Sequence, residues 1–326
     1  MSGVLGFVEH GPAGPERLSL EMLTVAAGDD GVEAVVVGQP GAGTSEQLCA
    51  FGVDRLHVID HDLVGDYAPE AWAEGLRQLI ATRDPEVVLA GGGEHGNEVM
   101  AHVAARLDEP LATNCVVLTP EGTGTDGWHL TRLRWGGILY EDAVLTSDRK
   151  LATIAPHVVE PVPSRAAAQV PVEAFAAELD PVLARTRVRD RTTRSAGVSL
   201  ATAPVVVSGG RGVGSAEGFA VLEELAELVG GAVGCSRVVT NNGWRPHSDQ
   251  VGQTGTRVAP DLYVACGISG ATQHWVGCMN AKAILAINTD PEAPMVTRAD
   301  YAVIGDVHEV LPALVEEVRS RQAAPV

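Results

Sequence analysis

Residues 262–288 read LYVACGISGATQHWVGCMNAKAILAIN, and their order decides the fold. LYVAC and AILAIN are short runs rich in Val, Ile, Leu and Ala, as fully buried parallel strands are. Between them lie a glycine-bearing turn and a short helical stretch, the β-α-β order of a parallel sheet. The turn, GISGATQH (267–274), gathers Ser269, Thr272, Gln273 and His274 around Gly267 and Gly270. Open α/β sheets bind ligands at the carboxyl ends of their strands, which is where these residues stand. Ser269 is expected to cap the helix behind the turn, and Gly270 to let a ligand approach the backbone.

The same arrangement repeats around this unit. PVVVS (204–208) leads into SGGRGVGS (208–215), AVG (232–234) into CSR, AILAI into NTDPEAP, and YAVI (301–304) into Gly305 and Asp306. All five runs are expected to be strands. In SGGRGVGS the glycines permit close backbone approach, and the N–H groups of a following helix would favour an anion, with Arg211 adding charge. VGQTGTRVAPD (251–261) brings two more glycines around Gln253 and Thr254. Phe219, Leu222, Leu225, Ala226 and Val229 fall on one helical stripe, and a last helix is expected from about Val307 to Arg321.

The first half has the same grammar. VLGFV (4–8), EAVVVG (33–38), LHVI (56–59) and EVVLAG (86–91) read as buried strands, and helices are expected over Pro69–Thr82 and from about Asn97 to Leu107. From about Val116 the pattern turns antiparallel, with Gly136-Gly137 between two β-rich runs, before LATIAP. Residues 181–203 carry five arginines and no apolar period, which reads as a linker over the surface or a strip for an acidic partner. The fold class is therefore α/β, with two doubly wound Rossmann-like domains, residues 1–195 (linker from about 181) and 196–326.

Composition narrows the function. Of 326 residues, 45% are hydrophobic and 4% aromatic, so small aliphatic side chains fill the core. A formal charge of -19, from 42 acidic and 23 basic residues, repels nucleic acid and anionic membranes. Five cysteines without C-x-x-C spacing read as reduced, buried, cytoplasmic thiols. MSGVLGFVEHG lacks the basic n-region of a signal peptide, and no run reaches the roughly 20 apolar residues of a membrane helix. His57 with the DHD of 60–62 lacks ligand spacing and reads as an exposed loop, so no metal site is expected.

Taken in order, VVVSGGRG, GCSR, VGQTG, GISGATQH, AINTDPEAP and ADY…GD resemble the FAD-binding domain of the electron transfer flavoprotein alpha-subunit family over about 110 residues, Val205 to Val315. The first half resembles that family's first domain in layout. The resemblance implies a carrier without substrate turnover of its own, holding FAD across the strand ends and pairing with a beta subunit through its first domain. A flavin dehydrogenase would be the donor, and a quinone reductase or another redox protein the acceptor. It further implies that Arg211, Ser236 and the turn of Ser269, Gly270, Ala271, Thr272, Gln273 and His274 lie along the cofactor. Asn288, Asp306 and Val307 would take the adenosine end. Val251, Gly252, Gln253 and Thr254 would approach the ring, Thr254 nearest N5, with Arg237 and His274 beside it and His274 at the N1/C2=O pole.

Three departures are visible. TNNGW (240–244) has Asn where the family has Asp, Thr289 stands where Lys is common, and AGGGEHGNE (90–98) replaces Thr-x-x-Gly-Arg-Asp. The last reads either as an altered docking surface or as drift in a loop without a ligand. These departures motivate a second reading, a non-redox nucleotide-binding scaffold of the same fold. A nicotinamide-dependent dehydrogenase is a third, weaker for want of a second pocket with a proton donor.

Overall fold

A computed structural model describes residues 3–26, 31–120, 127–189 and 200–323. The chain divides into two compact units, Met1–Thr192 and Thr193–Val326. The expected boundary at 195 lies outside the described residues.

In the first unit, β1 (Val4–Phe7) is followed by the two-residue strands β2 (His10–Gly11) and β3 (Gly14–Pro15). Then come α1 (Arg17–Ala26), β4 (Val32–Val37), α2 (Thr44–Ala50), β5 (Val53–Ile59), α3 (Pro69–Arg83), β6 (Val87–Gly91) and α4 (Glu94–Leu107). The unit ends with β7 (Leu111–Pro120), β8 (Trp128–Arg134), β9 (Leu139–Leu145), β10 (Lys150–Ile154) and β11 (Val172–Phe175). The sheet order is β11-β5-β4-β1-β6-β10-β7-β8-β9, parallel except for the β7–β8 and β8–β9 pairs. β1 lies between β4 and β6, so the winding reverses there.

Every residue of β4 is buried, because both faces of the sheet are covered. Ala34 and Val36 enter one core and Val35 and Val37 the other, the period of two expected of a strand. Pro69 opens α3, whose Leu76, Leu79 and Ile80 are buried against the second core, and Asp84 ends it in the left-handed region at φ 48°. Glu33, the acid in β4, is held by Arg83 (2.6 Å) and by His57 Nε2 (2.8 Å). Burial works to raise the Glu33 pKa, yet these two partners hold it below the usual carboxylate value. His57 is thus a buried residue of β5 and not part of an exposed loop, a correction to the sequence reading.

The antiparallel stretch opens an apolar surface on the sheet. Val117, Ile138, Tyr140 and Val144 all stay exposed, Tyr140 at 66%. β11 was not legible in the sequence; it pairs with β5 at the far edge.

The second unit runs β12 (Val205–Gly209), α5 (Ala220–Leu228), β13 (Ala232–Cys235), α6 (Arg237–Asn241), β14 (Leu262–Cys266) and α7 (Thr272–Cys278). It continues with β15 (Ile284–Asn288), α8 (Pro294–Arg298), β16 (Tyr301–Ile304) and α9 (Val307–Ala323). Its five strands are parallel in the order β13-β12-β14-β15-β16, and the winding reverses between β12 and β14. β16 is a strand as expected, and Tyr301, Val303 and Ile304 on it are exposed. As the last strand it has one neighbour, and α9 places Leu311 and Val315 in the core shared with α5. All five cysteines are buried free thiols, and burial pushes those of Cys235, Cys266 and Cys278 up to about 12.

Candidate cofactor site

The reversal point of the second sheet is bound together by main chain. Gly210 N–H donates to the Cys266 carbonyl (2.8 Å), Gly212 N–H to Gly267 (3.1 Å), and Gly267 N–H to Ile287 (2.8 Å). Gly267 has φ 62°, and a Cβ there would sit 2.7 Å from Gly212 Cα, so only glycine fits this crossing. Gly270, at φ 81°, presses against Met295, whose backbone nitrogen would lie 2.3 Å from an added Cβ.

Two expectations are corrected by this backbone. The glycine loop does not open directly into a helix; it folds as short 3-10 turns at Arg211–Val213 and Glu217–Phe219, and α5 starts afterwards. The N–H groups of Gly210 and Gly212 are spent on neighbouring carbonyls, leaving neither free for an anion. Ser269 does not cap α7, which begins at Thr272 behind Ala271 with no side-chain cap; the Ser269 carbonyl instead accepts from Met295 N–H.

Above this floor lies a cavity of about 670 Å³, a volume suited to a cofactor. Of the residues expected there, Arg211, Ser236 and Arg237 line it, as do Ser269, Gly270, Ala271, Gln273 and His274 from the turn. Asn288, Asp306 and Val307 line its other side. Thr272 and the loop of Val251, Gly252, Gln253 and Thr254 lie outside the wall. That loop packs behind α7: Gln253 N–H donates to the Gln273 carbonyl (2.7 Å), and Thr254 Oγ1 accepts from Gln250 (2.9 Å). The structure adds Gly212, Gly267, Ile268, Asp290 and His308 to the wall. Sequence reasoning had a signal for Asp290 and His308, since both follow strand ends.

Several expected ligand groups also hold the site together. Asn288 Nδ2 donates to the Ile268 carbonyl (3.0 Å) and its Oδ1 accepts from Asp290 N–H (3.1 Å), fixing one loop to the next. Asp306 accepts from His308 N–H (2.9 Å) at the start of α9, which suits a carboxylate at a helix N-terminus.

Two polar atoms in the wall are buried without a partner: Ser236 Oγ and His274 Nδ1. Buried polar groups are nearly always satisfied, so two orphaned atoms on residues that line one cavity mark a site its own chain leaves incomplete. Burial holds the His274 pKa down to about 4, with a weaker opposite pull from the Val251 carbonyl, which does not reach Nδ1 in hydrogen-bond geometry. His274 is therefore a neutral imidazole at physiological pH. Arg211 and Arg237 are exposed and have no ion-pair partner among the described residues. Half-buried Arg257, which the sequence reading passed over, has its pKa lowered by burial. The wall thus offers positive charge, hydrogen-bonding groups and glycine-flattened backbone to an elongated anionic ligand, and FAD fits that set.

The family model described as the electron transfer flavoprotein FAD-binding domain matches residues 199–279, and the electron transfer flavoprotein domain matches residues 4–180. The chain belongs to the electron transfer flavoprotein alpha-subunit family. It is 37% identical over 325 residues to the electron transfer flavoprotein subunit alpha of Mycobacterium tuberculosis, covering 99% of this chain and 100% of that one. The corresponding subunit of Clostridium acetobutylicum is 36% identical over 327 residues, covering 98% and 97%. Protein FixB of Bradyrhizobium diazoefficiens is 36% identical over 298 residues, covering 88% and 79%. The second unit is accordingly an FAD-binding domain, and the chain is an electron carrier without substrate turnover of its own. Among the described residues no group of three or more His, Cys, Asp or Glu could hold a metal ion, and no helix is long and apolar enough to cross a membrane.

Proposed function

We propose that FAD lies in the 670 Å³ cavity of the second unit and that the chain works as one half of a heterodimer with an electron transfer flavoprotein beta subunit. The two orphaned buried atoms, Ser236 Oγ and His274 Nδ1, carry this reading. Bound FAD supplies the redox chemistry, accepting and releasing electrons one or two at a time. The chain's own residues bind and orient it. Arg211 and Arg237 neutralise its phosphates and ring-side charge, Ser236 and the 269–274 turn hydrogen-bond along it, and Asn288, Asp306 and Val307 receive its adenosine end. The loop Val251–Thr254 completes the ring side from behind α7. His274 gives the pyrimidine pole of the ring a neutral hydrogen-bonding partner.

The partner packs on the exposed apolar face around Val117, Tyr140 and Val144, a surface of the kind that marks an interface. The donor is a flavin dehydrogenase, the acceptor a quinone reductase or another redox protein, and the setting the cytoplasm. The test is the visible absorption spectrum of the chain purified with a beta-type subunit. Flavin bands at about one FAD in this subunit per heterodimer are expected. A colourless complex that also refuses added FAD would overturn the reading and favour a nucleotide scaffold.

A further inference from the structure

The first unit has a crevice of its own, a cavity of about 530 Å³ beyond the carboxyl ends of β1 and β4, where the winding of that sheet reverses. Ligands of open α/β sheets bind at such places, and the volume is that of a small-molecule site. Its chemistry is the reverse of the cavity in the second unit: no lysine or arginine lines it, whereas Glu9 and Glu16 do. The place that the N-terminus of α4 offers to an anion is taken by the chain's own Glu9. A Cβ at Gly96 would lie 3.0 Å from Glu9 Oε1, and one at Gly93 3.7 Å. His95 Nδ1 answers Glu9 at 3.4 Å. Glu16 is left over, its carboxylate making no hydrogen bond or ion pair among the described residues. Desolvation and then the Glu9 charge raise the Glu16 pKa, against weaker pulls from His95 and His10. Glu94 and Glu98 add to the same field: burial first, then the bond to Glu98 and the charges of Glu98, Glu9 and Glu94, raise the pKa of Tyr67.

The aromatic wall points to a cation independently of these acids. Tyr67 and Trp72, both lining the cavity, meet edge to face with centroids 5.1 Å apart at 80°, and His95 stacks on Tyr67 at 3.9 Å. Trp72 Nε1–H donates to the Asp66 carbonyl (3.1 Å) and Tyr67 O–H to Glu98 (2.6 Å), so both rings are fixed before any ligand arrives. Aromatic rings attract a cation, tryptophan most strongly, and a carboxylate beside them adds charge and an acceptor for N–H. Val8, Val37 and Val64 are buried residues of the same lining and suit an apolar body behind the charged head. We propose that the first unit binds a small organic cation, a charged nitrogen head on a short apolar body, between Glu16 and the Tyr67–Trp72 pair. The site is separate from the proposed FAD cavity and does not rest on it.

The probe is n-butylguanidinium, with n-butylurea as its neutral isostere, each titrated calorimetrically into the heterodimer at about 0.15 M salt, where attraction to the acidic surface at large is screened. One saturable equivalent is expected, about tenfold tighter for the cation than for the urea. Glu16→Gln should weaken the cation about fivefold, the scale of one exposed ion pair. It should leave the thermal midpoint where it was, because the Glu16 carboxylate holds nothing in the folded chain. Trp72→Leu should weaken the cation by a similar factor. Trp72 also packs on Phe7, with centroids 6.4 Å apart, so if that variant fails to fold Glu16→Gln decides alone. Equal affinity for the two probes, no saturable binding, or a cation affinity unmoved in Glu16→Gln would overturn the proposal.

Discussion

Each of the two sheets ends in a crevice at its winding reversal, yet the two crevices treat their polar groups in opposite ways. In the first unit a cavity of about 530 Å³ opens beyond β1 and β4, with Glu9, His10, Tyr67, Trp72 and His95 in its wall. There the chain supplies its own anion. The Glu9 carboxylate lies against the first turn of α4, so close that a Cβ at Gly96 would be 3.0 Å from Oε1, and it occupies the place where a helix favours an anion. His95 Nδ1 reaches Glu9 at 3.4 Å and its ring stacks on Tyr67 at 3.9 Å, while Tyr67 O–H donates to Glu98 at 2.6 Å. Asn97 donates to the Gly92 carbonyl and accepts from Thr153. In the second unit Ser236 and His274 line the cavity and each keeps a buried polar atom without a partner, Oγ and Nδ1. The winding and the position of a crevice are shared; what marks the cofactor site is the polar groups its own chain leaves unsatisfied. The residues of the departure AGGGEHGNE brace the start of α4.

Substitutions at two left-handed glycines, one in the cofactor cavity and one in the first unit, should sharpen the contrast. Gly270 and Gly43 both have φ near 80°, but an added Cβ meets Met295 N at 2.3 Å in one case and nothing nearer than 3.8 Å in the other. Gly270→Ala should cost about 3 kcal/mol or more and abolish FAD retention, whereas Gly43→Ala should cost about 1 kcal/mol and retain FAD. Urea unfolding with flavin absorbance decides this; equal costs would erase the distinction. Next in size, Arg211→Ala should weaken FAD binding about tenfold or more, the scale of one charge-assisted contact, with stability near wild type. Glu9→Gln should leave FAD affinity unchanged.

The third contrast is with pH. The unfolded histidine titrates near 6.5, while burial holds folded His274 at about 4. Between those values the unfolded chain takes up a proton that the folded one refuses. The stability tied to neutral His274 is thus present above pH 6.5 and lost as pH falls toward 4, by about 3 kcal/mol in all. Unfolding midpoints over pH 7 to 4 should fall less steeply in His274→Gln than in wild type, and parallel curves would refute the assignment. The smallest effect belongs to His95, which is half exposed and whose pKa is raised first by its bond to Glu9. Its contribution is present below pH 6.5 and lost as pH rises through the folded value. His95→Ala should therefore cost under about 1 kcal/mol at pH 6 and less at pH 9, with FAD affinity unaffected.

The layout was legible because burial imposes it: buried parallel strands must be apolar throughout, and the loops that follow them stand out by glycine and polarity. Asp306 and Asn288 could be placed near the site for that reason, and Thr254 only through the family resemblance. Their bonds to Gln250, His308 and Ile268 could not be read, because those depend on how loops from separate strands meet. The same limit hid the spent N–H groups of Gly210 and Gly212 and the later start of α7. The bond between Tyr263 and His274 was not legible because a buried strand tyrosine looks the same in sequence whatever its hydroxyl meets, and the exposure of β16 was not because an edge strand can be as apolar as a central one.

The most direct measurement is an equilibrium titration of the FAD-stripped heterodimer with FAD, comparing wild type with the double variant Arg211→Ala, Arg237→Ala. The account predicts that the double variant loses one equivalent of FAD relative to wild type while keeping its fold and its partner. An unchanged stoichiometry and affinity in that variant would contradict it and move the cofactor out of this cavity.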